Sequence, residues 1–179
     1  VYYPSGLYLS GCEGYEVEEN TFAGTDAIGN VGLVVAGSLQ LPNEFYRNHF
    51  KKLYVGSLMQ GNNRISVGFG GVQFLCNLYG NEDGTESCIY TAAVTKNNAA
   101  IAQQVGSLAQ PAGNRFYPDC PGGLELDIYH DNESSNGFTY VHHQDNFTTP
   151  SCSTAFPWVD PQNSFQPYSP GDGPTSSCP

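Results

Sequence analysis

The sequence has few cations and no long apolar run, and each shortage excludes a class of protein. Lys and Arg number 6 against 17 Asp and Glu, so the formal net charge is −11. Such a surface repels phosphate backbones and anionic lipids, so we expect no nucleic-acid partner. The longest aliphatic stretch, Leu33–Ala36, is far shorter than the roughly 20 residues that cross a bilayer, so we predict no transmembrane segment.

Familiar catalytic and cofactor motifs are also missing. The chain has no CxxC pair, no G-x-S-x-G elbow, no G-x-G-x-x-G turn and no Walker loop. We therefore predict no cofactor. Calcium remains an option, because the acidic loops have oxygen ligands, although none follows the EF-hand order. The chain starts at Val1, without an initiator methionine or an apolar signal core, and we expect a mature, processed form.

What the sequence does contain indicates an oxidising compartment. An even number of cysteines without metal-type spacing is typical of a disulfide framework. The six are Cys12, Cys76, Cys88, Cys120, Cys152 and Cys178. Two N-x-[ST] sequons predict glycosylation at Asn132 and Asn146. Together these features predict a secreted, extracellular glycoprotein.

The disulfide connectivity stays open, because six cysteines allow many pairings. Cys76 and Cys88 flank a turn-rich stretch and form the most local pair. The remaining choices are Cys152 with Cys178 and Cys12 with Cys120, and an interchain bond at Cys178 is the alternative.

Short segments rich in β-branched and aromatic residues alternate with Gly, Asn and Asp clusters, which predicts an all-β sandwich. The predicted strands are Gly32–Ala36, Lys52–Leu58, Ile65–Phe69, Val72–Leu78, Ile89–Thr95, Leu124–Tyr129 and Phe138–His142. No internal repeat is visible by eye.

The clearest strand is Leu124–Tyr129, where apolar and polar residues alternate strictly. Its alternation is typical of a half-buried antiparallel strand. The polar stretch Asp131–Gly137 then predicts a hairpin to Phe138–His142, with the Asn132 glycan pointing outward.

Two segments depart from this pattern. Between Asn98 and Gln110, apolar residues at 101, 105 and 108 follow helical spacing and predict one short helix. The Pro-rich stretch from Asp160 predicts a tail or linker. The predicted fold is a single disulfide-stapled, mainly antiparallel β-sandwich over residues 1–159, with a tail over residues 160–179.

Glu125 and Asp127 are the candidate catalytic pair. Residues i and i+2 of a strand lie about 6.6 Å apart, a separation that glycosidase carboxyls use. The competing interpretation is a solvated outer face, and we favour it. His130, His142 and His143 flank the same hairpin, but adjacent strand residues point to opposite faces, so we predict no metal site.

Aromatic residues suggest contact surfaces for a protein or a sugar. The stretches that we expect to be exposed contain Tyr2, Tyr3, Tyr8, Tyr15, Phe156 and Trp158.

One segment resembles a known family. In residues Leu39–Gly68, an aromatic pair (Phe45-Tyr46), a further aromatic (Phe50), the run Leu53-Tyr54-Val55 and the strand Ile65-Ser66 follow in order. This order resembles the signature of extracellular NIDO domains, the nidogen and tectorin type. It departs at Arg47, where the family has glycine, and in the spacing before Ile65. The resemblance implies a matrix or adhesion module without catalysis.

The function that we predict is non-enzymatic: a secreted module for extracellular binding, adhesion or assembly, with a protein, a glycan or its own copies as partner. The alternatives are a secreted acidic hydrolase and a glycan-binding module. A cleft with convergent carboxyls would favour the first, and a shallow aromatic platform the second.

Overall fold

The computed structural model describes residues 4–25, 29–38, 41–64, 70–80, 91–102, 104–107, 112–116, 126–130, 138–141 and 166–168. These residues form a mainly β structure without a helix among them. The strands are β1 (Ser5–Ser10), β2 (Glu16–Glu18), β3 (Thr21–Ala23), β4 (Val31–Ala36), β5 (Asn43–Tyr46), β6 (His49–Lys51), β7 (Val55–Asn62), β8 (Val72–Leu75), β9 (Leu78–Tyr79), β10 (Thr91–Ala100), β11 (Gln104–Val105), β12 (Arg115–Phe116), β13 (Leu126–His130), β14 (Thr139–Val141) and β15 (Gln166–Tyr168).

The strands stack as successive coils of a parallel β-solenoid. Coils 1 to 4 each contribute one strand to each of three faces. Face one has the order β1-β4-β7-β10-β13, and face three has the order β12-β9-β6-β3. Face two consists of the sheets β2-β5-β8 and β11-β14-β15. Each strand therefore pairs with the equivalent strand of the next coil, as repeat architectures require.

The predicted antiparallel sandwich is therefore wrong in its pairing, although the prediction of a mainly β chain is confirmed. Every strand pair of the described sheets is parallel, and one isolated antiparallel bridge joins Arg64 and Gly71. The physical reason is that each coil returns the chain to its starting edge, so equivalent strands run in the same direction.

The predicted hairpin and helix are also wrong. β13 pairs with β10 on face one, whereas β14 pairs with β11 and β15 on face two, so these neighbours in sequence belong to different sheets. Within the predicted helix, the described residues include the end of β10 and all of β11, and none of them is helical. Ile101 and Val105 are buried in the solenoid core on either side of a corner, which reproduces helical spacing without a helix.

Rows of equivalent side chains fill the solenoid. On face three, the rings of Phe22, Phe50, Tyr79 and Phe116 stack with centroids 5.0, 4.8 and 5.2 Å apart and planes within 10°. These distances match the spacing of about 4.8 Å between paired strands. The Ser57 hydroxyl lies 3.0 Å from the Tyr79 hydroxyl in the buried interior, so the one phenol in this row has a polar partner.

A ladder of asparagines fixes the corner before face three. It contains Asn20, Asn48, Asn77 and Asn114, separated by 28, 29 and 37 residues. The backbone N–H of each of the first three asparagines donates to the side-chain oxygen of the next asparagine, at 3.1, 3.0 and 2.9 Å. The side-chain amides of the later three donate to carbonyls of the preceding coil, at 2.7, 3.0 and 2.7 Å. The ladder thereby satisfies buried polar groups and locks the register of adjacent coils.

The prediction of no internal repeat is therefore wrong, because Asn-x-aromatic recurs once in each of four coils. The residue before each ladder asparagine has positive φ: Glu19 at 54°, Arg47 at 56°, Cys76 at 55° and Gly113 at 66°. This left-handed residue turns the chain sharply between faces two and three.

Three further features qualify the predicted organisation. Val34 and Leu58, on the outer side of face one, are 4% and 5% exposed and form a second apolar cluster with Val31 and Val55. Within the predicted tail, β15 pairs with β14. The NIDO-like segment contains β5, β6 and all of β7, which belong to three different faces.

Candidate binding surface

Face two presents polar side chains outward from coils 1 to 3. Its inward residues Val17, Phe45 and Phe74 are paired in register and buried in the core. Strand alternation points the intervening residues to the outside. These outer residues are Glu16, Glu18, Glu44, Tyr46 and Gln73, and we call them the acidic face. Leu75, the next alternate position, packs partly against the core.

The acidic face brings three carboxylates together across two strands. Glu16 is paired with Glu44, and Glu18 is paired with Tyr46. Burial raises the pKa of Glu44 above its ordinary value, and the negative charges of Glu18 and Glu16 raise it further. The Glu44 carboxyl therefore holds its proton more tightly than a glutamate in water does.

A cation lies at the margin of this face. Arg47 Nη1 is 3.3 Å from Glu19 Oε1, and both side chains are substantially exposed. The Arg47 guanidinium carbon also lies 5.8 Å from the centroid of the Tyr46 ring. An exposed ion pair of this kind contributes little to stability.

A second group of polar side chains lies in the turn between faces one and two. Burial raises the pKa of Tyr15 to about 12, the nearby Cys12 adds to this, and the Ser38 hydroxyl partly offsets it. Within the described part of the chain, neither Tyr15 OH nor Ser38 Oγ makes a well-aligned hydrogen bond, although both atoms are buried. A phenol with so high a pKa stays neutral at physiological pH, so this group is poorly suited to proton transfer.

The acidic face can accept hydrogen bonds and attract cationic groups, but it does not form a metal cage. Among the described residues, no group of three or more His, Cys, Asp or Glu side chains could hold a metal ion. The carboxylates stand on a sheet surface, so a ligand would meet them from one side only.

Of the predicted catalytic pair, the described member Asp127 is not part of this surface. Asp127 lies in β13 on face one. Glu125 lies outside the described residues. Strand β13 also contains His130. His142, His143 and the sequon residues Asn132 and Asn146 lie outside the described residues.

The cysteines divide into two described residues and four that lie outside that part of the chain. Cys76 is disulfide-bonded, and Cys12 is exposed with a free thiol. The other four are Cys88, Cys120, Cys152 and Cys178. Of the aromatic stretches, Tyr8 is 53% exposed and Tyr15 is half-buried against the core. Tyr2, Tyr3, Phe156 and Trp158 lie outside the described residues.

Sequence reasoning missed the acidic face, although a signal was present. Three seven-residue segments align with each other without a gap: EVEENTF from residue 16, EFYRNHF from residue 44 and QFLCNLY from residue 73. Their first positions are Glu16, Glu44 and Gln73, which the register places side by side. An alignment of the chain against itself would have found both the coil repeat and the outer row.

Comparison with known protein families, curated proteins and solved structures finds no match for this chain. Within the described part of the chain, no helix has the length and apolar character needed to cross a membrane.

Proposed function

We propose that this chain is a secreted, non-enzymatic module for extracellular binding, adhesion or assembly. The observation that best supports this proposal is a parallel solenoid whose described strands display outward side chains in fixed rows on the surface of a sheet. Solenoids provide extended binding surfaces because each coil repeats the geometry of the previous one. The NIDO-like resemblance of residues 39–68 agrees with an adhesion role.

Secretion is the second part of the proposal. The disulfide at Cys76 favours an oxidising compartment, because such bonds are rare in the cytosol. We propose that Asn132 and Asn146 are glycosylated and that further cysteines form disulfides. Calcium bound by oxygen ligands remains part of the proposal.

A secreted acidic hydrolase is the second candidate, and Glu44 is the observation in its favour. A carboxyl with raised pKa beside ionised carboxylates is the arrangement that glycosidases use for general acid catalysis. Glu125 and Asp127 remain an alternative pair for the same chemistry. A glycan-binding module is a third candidate, for which Tyr46 would supply an aromatic contact beside carboxylate acceptors.

One experiment separates these candidates. Protein secreted from a eukaryotic host is tested on arrays of extracellular glycans and matrix proteins, and the same polysaccharides are assayed for new reducing ends. We expect binding without turnover. The variants Glu44→Gln and Asp127→Asn serve as matched probes of the two carboxyl sites. Turnover that either substitution abolishes would replace the binding proposal with the hydrolase, and absence of binding to every array member would contradict the proposal.

A further inference from the structure

The outer side of face three carries positive charge, in contrast to the acidic face. The four stacked rings of this face point into the core, so strand alternation points their neighbours outward. These outer residues are Thr21, Ala23, His49, Lys51, Leu78 and Arg115, and we call them the basic face. The described strands of face three contain no Asp or Glu. Two neighbouring faces of the solenoid therefore carry opposite charges.

Both charged faces are accessible to a partner. On the basic face, Thr21, Ala23 and Arg115 are exposed. On the acidic face, Glu16 and Glu18 are exposed. The chain therefore leaves these positions open on the two surfaces.

The two faces also match in spacing. Both are parallel sheets, so equivalent residues of successive coils lie about 4.8 Å apart along each face. Glu16 is in register with Glu44 on the acidic face, and Leu78 is in register with Arg115 on the basic face. Tyr46 and Leu78 are half-buried and place apolar surface among the charges. Charged rims around apolar contacts are typical of protein interfaces.

A second copy of the chain offers the complement of each face. Contact between two acidic faces, or between two basic faces, would bring like charges together, whereas contact between unlike faces brings opposite charges together. Such a contact uses different surfaces on the two copies. It leaves one acidic and one basic face unoccupied, so further copies can add until a ring closes or a filament forms.

We propose that the acidic face of one copy binds the basic face of a second copy, and that repetition of this contact assembles the chain. The exposed carboxylates of Glu16 and Glu18 would then lie beside the lysine and arginine of the second copy's basic face. The sheets in contact have three and four short strands, so the interface is small and the association weak. This names the partner for the binding and assembly function proposed above and rests on it.

Sedimentation velocity of the full chain over a range of concentrations tests the assembly. We expect the mean mass to rise with concentration beyond that of a dimer and to fall when salt is added. A chain that stays monomeric at every concentration would overturn the proposal. Growth that stops at a dimer would indicate pairing of like surfaces and would also contradict it.

Two variants disable one face each. Glu16→Gln with Glu18→Gln removes charge from the acidic face, and Lys51→Gln with Arg115→Gln removes it from the basic face. Each should weaken self-association about threefold to tenfold, in line with exposed charge contacts. The first variant also reduces the net negative charge, so stronger association would mean that general repulsion dominates, against the proposal. The control Glu13→Gln changes an exposed carboxylate between β1 and β2, and a loss as large as that of the acidic-face variant would contradict the assignment.

A mixture of the two variants shows which faces meet. One variant keeps only its basic face and the other only its acidic face, so the mixture should associate as tightly as the parent but stop at pairs of one copy each. This rescue also rules out misfolding as the cause of the losses. A mixture that associates no better than its components would overturn the proposal. Array binding by a chain that stays monomeric would overturn this proposal alone and leave the proposed function in place.

Discussion

The ladder asparagines are the residues on which the coil geometry most depends. Asn77 receives hydrogen bonds from the backbone N–H and side chain of Asn48, and it donates to the Phe45 carbonyl and to Asn114. One side chain thereby joins three coils, and its removal leaves several buried groups unsatisfied.

We expect Asn77→Ala to lower the free energy of unfolding by about 2–4 kcal/mol, because buried donors and acceptors lose their partners. Urea unfolding measures the change. The control is Asn62→Ala, at an exposed position whose side chain accepts only a local bond from the Arg64 N–H among the described contacts. A cost at Asn77 no larger than that at Asn62 would contradict the role of the ladder.

Tyr79 differs from its three stacked neighbours by one hydroxyl. Tyr79→Phe retains the ring stack and removes the contact with Ser57, so we expect a loss of about 1 kcal/mol. In a Ser57→Ala background the same substitution should cost less. The double-mutant cycle measures this coupling, and additive effects would mean that the two hydroxyls do not interact.

At the scale of the element, the corners constrain the strands more than strand propensity does. Arg47 has φ of 56°, a region where an L side chain is strained, and it occupies the same corner as Gly113. We expect Arg47→Gly to be more stable than Arg47→Ala by about 1 kcal/mol, although glycine is ordinarily the weaker residue. Both variants lose the contacts with Glu19 and Tyr46, so their thermal unfolding isolates the backbone.

The control for this comparison is Arg115, an exposed residue of β12 without positive φ. There the alanine variant should be the more stable of the two. If the alanine variant were also more stable than the glycine variant at position 47, the corner would not be strained.

The sheet β2-β5-β8 should also respond to pH through Glu44. The pKa of Glu44 is raised in the folded protein, so the folded state binds the proton more tightly than the unfolded chain does. This contribution to stability is fully present at pH values below the ordinary pKa, and it is lost as the pH rises through the pKa of the folded protein. At neutral pH, Glu44→Gln should therefore be more stable than the parent by up to about 0.5 kcal/mol, because solvent screens a partly exposed group.

Below about pH 4 the Glu44→Gln advantage should vanish, since the parent carboxyl is then protonated. The reverse substitution Gln73→Glu adds a carboxylate beside Glu44 and should destabilise the sheet at neutral pH only. Urea unfolding at both pH values measures these differences, and a pH-independent effect of Glu44→Gln would contradict the proposed repulsion.

The elements themselves were partly predictable. β4 coincides closely with the predicted strand Gly32–Ala36, because a compact β-branched run bounded by glycines is a local signal. In β13, Ile128 is buried and Tyr129 half-buried, as the alternation predicted. The direction of pairing is not local, since a short alternating strand fits a sandwich and a solenoid equally. The helix failed for a related reason: a corner between Ile101 and Val105 gave a spacing of four between two inward residues.

At the scale of the whole molecule, the fold depends on each coil placing equivalent residues in the same rows, although the lengths of chain between those residues differ. Coils 1 to 3 repeat after 28 and 29 residues, and the next ladder step takes 37. The longer step hides the period from inspection, and cysteines and sequons say nothing about it. The acidic face follows from the same equivalence, so it was invisible until the coils were aligned.

Deletion of one whole coil tests this equivalence. Removing residues 20–47 joins Glu19 to Asn48 and takes out one ladder period of 28 residues. Every remaining side chain keeps its row: Val17 would then pack against Phe74, and β2 would pair with β8. We expect a soluble protein that unfolds cooperatively at a lower temperature, because solenoid stability is roughly a sum of coils and their interfaces.

The matched control removes residues 20–46 and leaves Arg47 as one extra residue. The extra residue lengthens the tight corner that precedes the ladder asparagine, so we expect it to displace the ladder and weaken the near-ultraviolet circular dichroism of the packed aromatic rings. Similar spectra and melting curves for the two deletions would mean that the coils are not locked in register, and the solenoid assignment would be wrong.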